Sequence, residues 1–159
     1  MSVQVDVQLA LAAADAGRLP GTDAIQAWAN AAVKAAGSGP ENGQLSVRIV
    51  DVAEITELNT LYRQKSGPTN VLSFPFEAPP GLPAAAAESM LGDVVVCAAV
   101  VEQEAEAQGK PVQAHWAHMI VHGVLHLLGY DHIKDAEAEV MEALEIKVLA
   151  ALGYADPYH

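Results

Sequence analysis

The segment LGDVVVC, residues 91–97, has an unbroken apolar run after its aspartate. A short continuous apolar run of this kind is typical of a strand that is buried on both faces. We therefore predict that residues 91–97 form a central strand of a sheet.

Three earlier segments also have the patterns of strands. Residues 3–9 place apolar side chains at alternate positions, and residues 44–50 show a similar alternation. In residues 70–76, Pro75 has no backbone N–H to donate, which predicts an edge strand or an early end of the strand. The sheet is thus expected to contain about four strands.

Helical spacing of apolar residues accounts for most of the remaining chain. Thr22 offers an N-cap for a first helix, which Gly37 would end. Asp51 and Glu54 match a capping box that begins a second helix, expected to end near Gly67. Further helices are predicted over residues 98–108, over residues 111–128 and from residue 135 onward.

The stretch from residue 77 to residue 88 is rich in proline and alanine and predicts a long irregular loop. Strands and helices then follow one another in an order that fits the α/β or α+β class. We expect one domain over residues 1–159, with a sheet of about four strands packed with about five helices.

Composition limits the classes of function. Eight basic residues against twenty acidic ones give a net charge of −12, which argues against a protein that coats nucleic acid. The single cysteine, Cys97, excludes an internal disulfide and a cysteine-rich zinc site. No signal peptide or membrane-spanning stretch is recognisable, so we expect a soluble, cytoplasmic protein without membrane contact. The acidic last helix is expected to present a solvated face.

The sequence HGVLHLLGYDH, residues 122–132, contains three of the six histidines. On a helix, His122 and His126 differ by only about 40° in direction and share one face. Gly129 can end that helix in a left-handed conformation, which would let the chain bring His132 back beside them. Three neutral imidazoles around one point are the usual protein ligands of a catalytic zinc ion. We therefore predict one divalent metal ion, best suited by zinc, although imidazoles also accept nickel, copper or iron.

The neighbours of these histidines refine the prediction. Asp131 and His118 are candidates for holding a ligand ring or a bound water, although Asp131 fits a turn cap equally well and His118 fits a core histidine. Gly123 occupies the position where a zincin peptidase has its glutamate general base. The pattern therefore disfavours peptide hydrolysis by that mechanism and favours chemistry based on a metal-activated water and a charge stabiliser.

HGVLHLLGYDH, preceded by HWAHMIV, resembles the signature of the YbeY family of bacterial endoribonucleases. LNTLYRQKSGPTNVLSFPFE (58–77) and LGDVVVC (91–97) resemble the family's other recurring blocks. The resemblance implies a small mixed sheet surrounded by helices, with the metal in a cleft bound by His122, His126 and His132. It also implies cleavage of single-stranded RNA, maturation of small-subunit ribosomal RNA precursors, ribosome quality control, and ribosomal proteins or assembly factors as partners. One departure is Asn70, where many members have aspartate.

The same resemblance assigns a functional role to Arg63. A guanidinium is a planar, permanently charged donor that suits the charge developing on a phosphate during cleavage. An exposed arginine at a helix end is the alternative role of Arg63. Lys65, with Arg48 as its neighbour, is a candidate RNA contact. The attacking group is either a metal-activated water or the RNA 2′-hydroxyl, and the residues do not distinguish these.

Two other functions are compatible with the sequence. The first is a metallohydrolase acting on a different bond, such as a peptide, which would need a carboxylate near the metal. The second is a non-catalytic ribosome-assembly factor whose zinc ion stabilises the fold.

Overall fold

The sheet is mixed, and the segment 91–97 lies in its interior as predicted. The structure is a computed structural model that describes residues 2–12, 19–37, 39–131 and 134–158. Within these residues the strands are β1 (Ser2–Ala10), β2 (Asn42–Val50), β3 (Val71–Pro75) and β4 (Met90–Cys97). Their order is β1-β2-β4-β3, with β1, β2 and β4 parallel and β3 antiparallel to β4. β3 is an edge strand that ends at Pro75, as predicted.

The described residues contain six helices, one more than the sequence predicted. They are α1 (Thr22–Ala36), α2 (Val52–Arg63), α3 (Ala84–Ser89), α4 (Ala98–Gln108), α5 (Val112–Leu127) and α6 (Asp135–Ala151). The prediction of an irregular loop over residues 77–88 was wrong for residues 84–88, which lie in α3. Alanine has the highest helix propensity, and its four copies lie directly after Pro83, where a helix can begin without losing a hydrogen bond. The α+β class is confirmed.

The starts of the first two helices follow different rules. Thr22 is the first residue of α1, so its prediction as N-cap was wrong, and Gly21 takes the cap position without a side-chain hydrogen bond. The N-cap of α2 is confirmed, because the Glu54 backbone N–H donates to Asp51 Oδ1 at 2.9 Å. The reciprocal hydrogen bond of the predicted capping box does not form, because the Glu54 carboxylate accepts instead from Arg48 Nε at 2.6 Å.

The end of α2 comes earlier than predicted, at Arg63 rather than near Gly67. Gln64 follows in the left-handed conformation with φ 55°, which is rare for a residue with a side chain. The Lys65 backbone N–H then donates to the Asn59 carbonyl at 3.3 Å. The chain therefore leaves the helix at once, and residues 64–70 form the connection to β3.

Both faces of β4 are buried, which explains its continuous apolar run. Val94 and Val96 belong to the larger core with α1, α5 and α6. Val95 and Cys97 belong to a smaller core on the other face, where they pack with Ile55 of α2. Among the described helices, none combines the length and the apolar content that crossing a membrane requires.

Helix α5 packs closely on the sheet because Gly123 has no side chain. A Cβ atom at this position would lie 2.6 Å from Val94 Cγ1, well inside van der Waals contact. At the same point the Ser73 hydroxyl of β3 donates to the Gly123 carbonyl at 2.9 Å. The glycine therefore sets the distance between α5 and strands β3 and β4.

Replacing this glycine tests the packing. We expect Gly123→Ala to lower the free energy of unfolding by about 1–3 kcal/mol, because α5 must move away from β4. Urea denaturation measures the change. In a Val94→Ala background the same substitution should cost less by roughly 0.5 kcal/mol or more, since the colliding methyl groups are gone. An equal cost in both backgrounds would contradict this account of the contact.

Candidate functional site

A cavity of about 330 Å³ lies between the end of α2, the segment that follows it, β3 and α5. It contains the residues that the sequence singled out on two separate elements. His122 and His126 reach it from α5, while Arg63 and Lys65 reach it from the end of α2 and the segment beyond. The full lining consists of Asn59, Arg63, Lys65, Ser66, Pro68, Thr69, Asn70, Val71, Leu72, Ser73, His122 and His126.

The two cavity histidines lie one helical turn apart, as their spacing predicts. The ring centroids of His122 and His126 are 5.8 Å apart, with an angle of 86° between the rings. His132, the third predicted ligand, lies outside the described residues. Within residues 2–12, 19–37, 39–131 and 134–158, no three histidine, cysteine or carboxylate side chains are grouped as metal ligands.

The ring of His122 is held by a buried carboxylate. Glu145 of α6 has no exposed surface, and its Oε1 lies 2.7 Å from His122 Nδ1. Because a carboxylate only accepts hydrogen bonds, Nδ1 carries the proton and donates it. The lone pair of the neutral His122 ring is then on Nε2, the nitrogen needed by a metal.

Glu145 receives two further hydrogen bonds on its other oxygen. His118 Nε2 lies 2.9 Å from Oε2, and the Tyr158 hydroxyl donates to the same atom at 2.5 Å. Burial alone would raise the pKa of Glu145, but the hydrogen bonds from these groups and from His122 outweigh it and lower that pKa to about 2. Burial, reinforced by the neighbouring carboxylate, raises the pKa of Tyr158, so the phenol stays protonated and donates.

A second histidine and carboxylate pair supports the loop side of the cavity. His115 Nε2 lies 2.9 Å from Glu104 Oε1, and Asn70 Nδ2 donates to the same oxygen at 3.0 Å. Burial lowers the pKa of His115. Asn70 Oδ1 in turn accepts from the Val71 backbone N–H at 2.7 Å. An aspartate at position 70 would instead bring two carboxylates together, so asparagine suits this chain's Glu104.

The remaining predicted residues are not all brought together. Arg48 lines a different cavity, next to β1 and β2, where its guanidinium pairs with Glu54. The two predicted RNA contacts, Arg48 and Lys65, therefore line different cavities. His118 is buried and shares Glu145 with His122, whereas Asp131 lies partly buried at the end of the described segment that follows α5.

Three residues that support the cavity histidines were not predicted from the sequence: Glu145, Glu104 and Tyr158. Glu145 was included in the solvated acidic face of the last helix, and this prediction was wrong for it because it is fully buried. The signal was its position: Glu145 lies four residues after Met141 and three before Val148, on the apolar stripe of α6. No local pattern marks Glu104 or Tyr158 as partners of histidines.

Comparison with known proteins agrees with the fold and with the motifs. The solution structure of a protein from Thermotoga maritima superposes with a TM-score of 0.57 and 22% sequence identity, covering 97% of this chain and 98% of that chain. At this identity the likeness concerns the fold alone. A family model described as Endoribonuclease YbeY matches residues 17–153, and this family implies an endoribonuclease role in ribosomal RNA processing. The resemblance inferred from the three sequence blocks is thereby confirmed, and the chain belongs to the endoribonuclease YbeY family.

Proposed function

We propose that this chain is a metal-dependent endoribonuclease that cleaves single-stranded RNA during small-subunit ribosomal RNA maturation and ribosome quality control. The observation that carries the proposal is the single cavity that holds two imidazoles together with Arg63 and Lys65. Family membership supports the endoribonuclease class. A ribosomal RNA precursor as substrate, with ribosomal proteins and assembly factors as partners, implies action in the cytoplasm.

The residues present fit a divalent ion. His122 and His126 supply imidazoles on one helix face, and the hydrogen bond to Glu145 sets the tautomer that His122 needs for metal binding. We propose that these two residues and His132 would hold one ion, best suited by zinc. When bound, the ion would supply Lewis-acid chemistry to the phosphodiester group.

Arg63 and Lys65 would bind the phosphate groups of the RNA. Arg63 can donate two parallel hydrogen bonds to a phosphate and stabilise the charge that develops during cleavage. Lys65 would act as a point charge on a neighbouring phosphate. An unpaired strand can present its phosphates and bases to such a cavity one at a time, which a stiff duplex cannot do, so we expect single-stranded RNA to be the substrate.

The lining of the cavity argues against a peptidase-like reaction. None of the described residues that line it is an aspartate or a glutamate. Glu145 is buried beneath His122, and Glu104 is engaged with His115 and Asn70. A metallopeptidase needs a carboxylate general base beside the reacting bond, so phosphodiester cleavage is the better match.

The role of Arg63 is tested by substitution. We expect Arg63→Ala to slow cleavage of an unpaired, end-labelled RNA by roughly 100- to 1,000-fold, because a charged donor to the phosphate is lost. Metal content, measured on the same preparation, should not change. Lys34→Ala removes an exposed cation on α1 that does not line the cavity, so it is the matched control and should cleave at the wild-type rate. Full activity of folded Arg63→Ala protein would show that Arg63 has no such role.

The metal site is tested separately. We expect His126→Ala to weaken binding of Zn²⁺ by more than the roughly 10- to 100-fold that changes around a metal site typically cause. Chelation of the wild-type protein should abolish cleavage of unpaired RNA, and added Zn²⁺ should restore it, while duplex RNA stays intact throughout. Retention of a full equivalent of metal by His126→Ala would refute the site. Undiminished cleavage after complete removal of metal would refute the mechanism.

A further inference from the structure

We propose that Glu145 is a positioning residue for the metal: it fixes the tautomer and ring orientation of His122, while Tyr158 and His118 hold Glu145 in place. This inference rests on the proposed metal site and assigns a role to a carboxylate on a different helix from the ligands. It is carried by the hydrogen bonds around Glu145 and by the burial of its side chain.

The complete burial of the Glu145 carboxylate requires an explanation. Glu145 lies on the apolar stripe of α6 and has no exposed surface. Taking such a charge out of water is costly, and a buried ion pair is seldom more stabilising than apolar residues of the same size. Apolar packing would therefore serve the stability of α6 equally well. What an apolar residue could not provide is an acceptor for a histidine N–H.

The hydrogen bond to Glu145 determines which ring nitrogen of His122 carries the proton. Glu145 Oε1 accepts from His122 Nδ1 at 2.7 Å, while the His122 side chain is 20% exposed and lines the cavity. With the proton on Nδ1, the neutral ring has its lone pair on Nε2. A carboxylate behind a ligand ring also makes the ring more basic and limits its rotation. Without Glu145, the proton on Nδ1 would lose this acceptor, and we expect the tautomer with the proton on Nε2 to become more populated.

The carboxylate is itself held from two sides. The Tyr158 hydroxyl and His118 Nε2 both bond Oε2, at 2.5 Å and 2.9 Å. Tyr158 comes from the segment after α6, which returns to the other helices through a hydrogen bond from Lys110 Nζ to the Pro157 carbonyl at 3.1 Å. The ring of Tyr158 also meets that of His118 edge-on, with centroids 5.4 Å apart. Tyr158, at the end of the described chain, thus helps to fix the position of the Glu145 carboxylate.

The test measures metal binding to this chain after it is stripped of metal, and it does not depend on cleavage. Glu145→Gln keeps the size of the side chain but replaces one acceptor oxygen with an amide that donates. We expect its affinity for Co²⁺ or Zn²⁺ to fall by roughly 10- to 100-fold. The visible absorption spectrum of the Co²⁺-loaded variant should change, because the ring of His122 is less constrained. Tyr158→Phe, which removes only the hydroxyl, should show a smaller loss of affinity.

The matched control is Glu139→Gln, which makes the same chemical change at an exposed position of α6. Its affinity and Co²⁺ spectrum should equal those of the wild type. Wild-type affinity and spectrum in folded Glu145→Gln would overturn the inference. If Glu145→Gln fails to fold, Glu145→Asp and Tyr158→Phe decide, and unchanged affinity in both would overturn it.

Failure of the inference is distinguishable from failure of the proposed function. If the wild-type chain binds no stoichiometric divalent ion, the proposed metal site and the role of Glu145 fall together. If the wild-type chain binds the ion and loses it in His126→Ala, but Glu145→Gln still binds normally, only the role of Glu145 is refuted.

Discussion

The close contact of α5 with β3 and β4 is the constraint on which the candidate site depends. Gly123 brings the helix backbone against Val94, and its carbonyl accepts from Ser73 of the edge strand. His122 is the adjacent residue, and His126 follows one turn later on the same face. β3 lies at the edge beside β4, and the segment that leads into it from α2 lines the same cavity as these two histidines. The imidazoles of α5 and the cations at and beyond the end of α2 therefore reach a common cavity. The contact of Gly123 with Val94 and Ser73 that brings them there involves none of these side chains.

The sequence predicted those parts of the fold that local patterns determine. The continuous apolar run of residues 91–97 indicated a strand buried on both faces, and Pro75 indicated an edge strand, as found. The errors arise where two local signals compete or where none exists. In Ala84–Ser89 the helix propensity of alanine outweighed the neighbouring prolines, and nothing in the sequence of Gln64 announces a left-handed residue. Strand order depends on contacts distant in sequence, which local periodicity does not encode.

The features of the candidate site were likewise predictable only where a local pattern determines them. The shared face of His122 and His126 follows from the helical period alone, whereas the meeting of Arg63 with them depends on how α2 and α5 pack around β3. Arg48 illustrates the limit, since its place on β2 directs it to Glu54 and to a different cavity. Glu145 illustrates a second limit of prediction from sequence, because the other acidic residues of its helix are exposed or half-buried. Only its register with Met141 and Val148 separates it from them, and its partners lie on α5 and beyond α6.

The distribution of charge reconciles an acidic chain with an RNA substrate. The net charge of −12 would repel a polyanion at long range. At physiological ionic strength, however, exposed charges are screened over about 8 Å, so the groups that line the cavity dominate once a strand is close. There the described residues present Arg63 and Lys65 and no carboxylate, while the negative charge of Glu145 is buried and compensated by three donors. On the proposed function, binding would thus depend on a few contacts at the cavity rather than on electrostatic attraction by the whole surface.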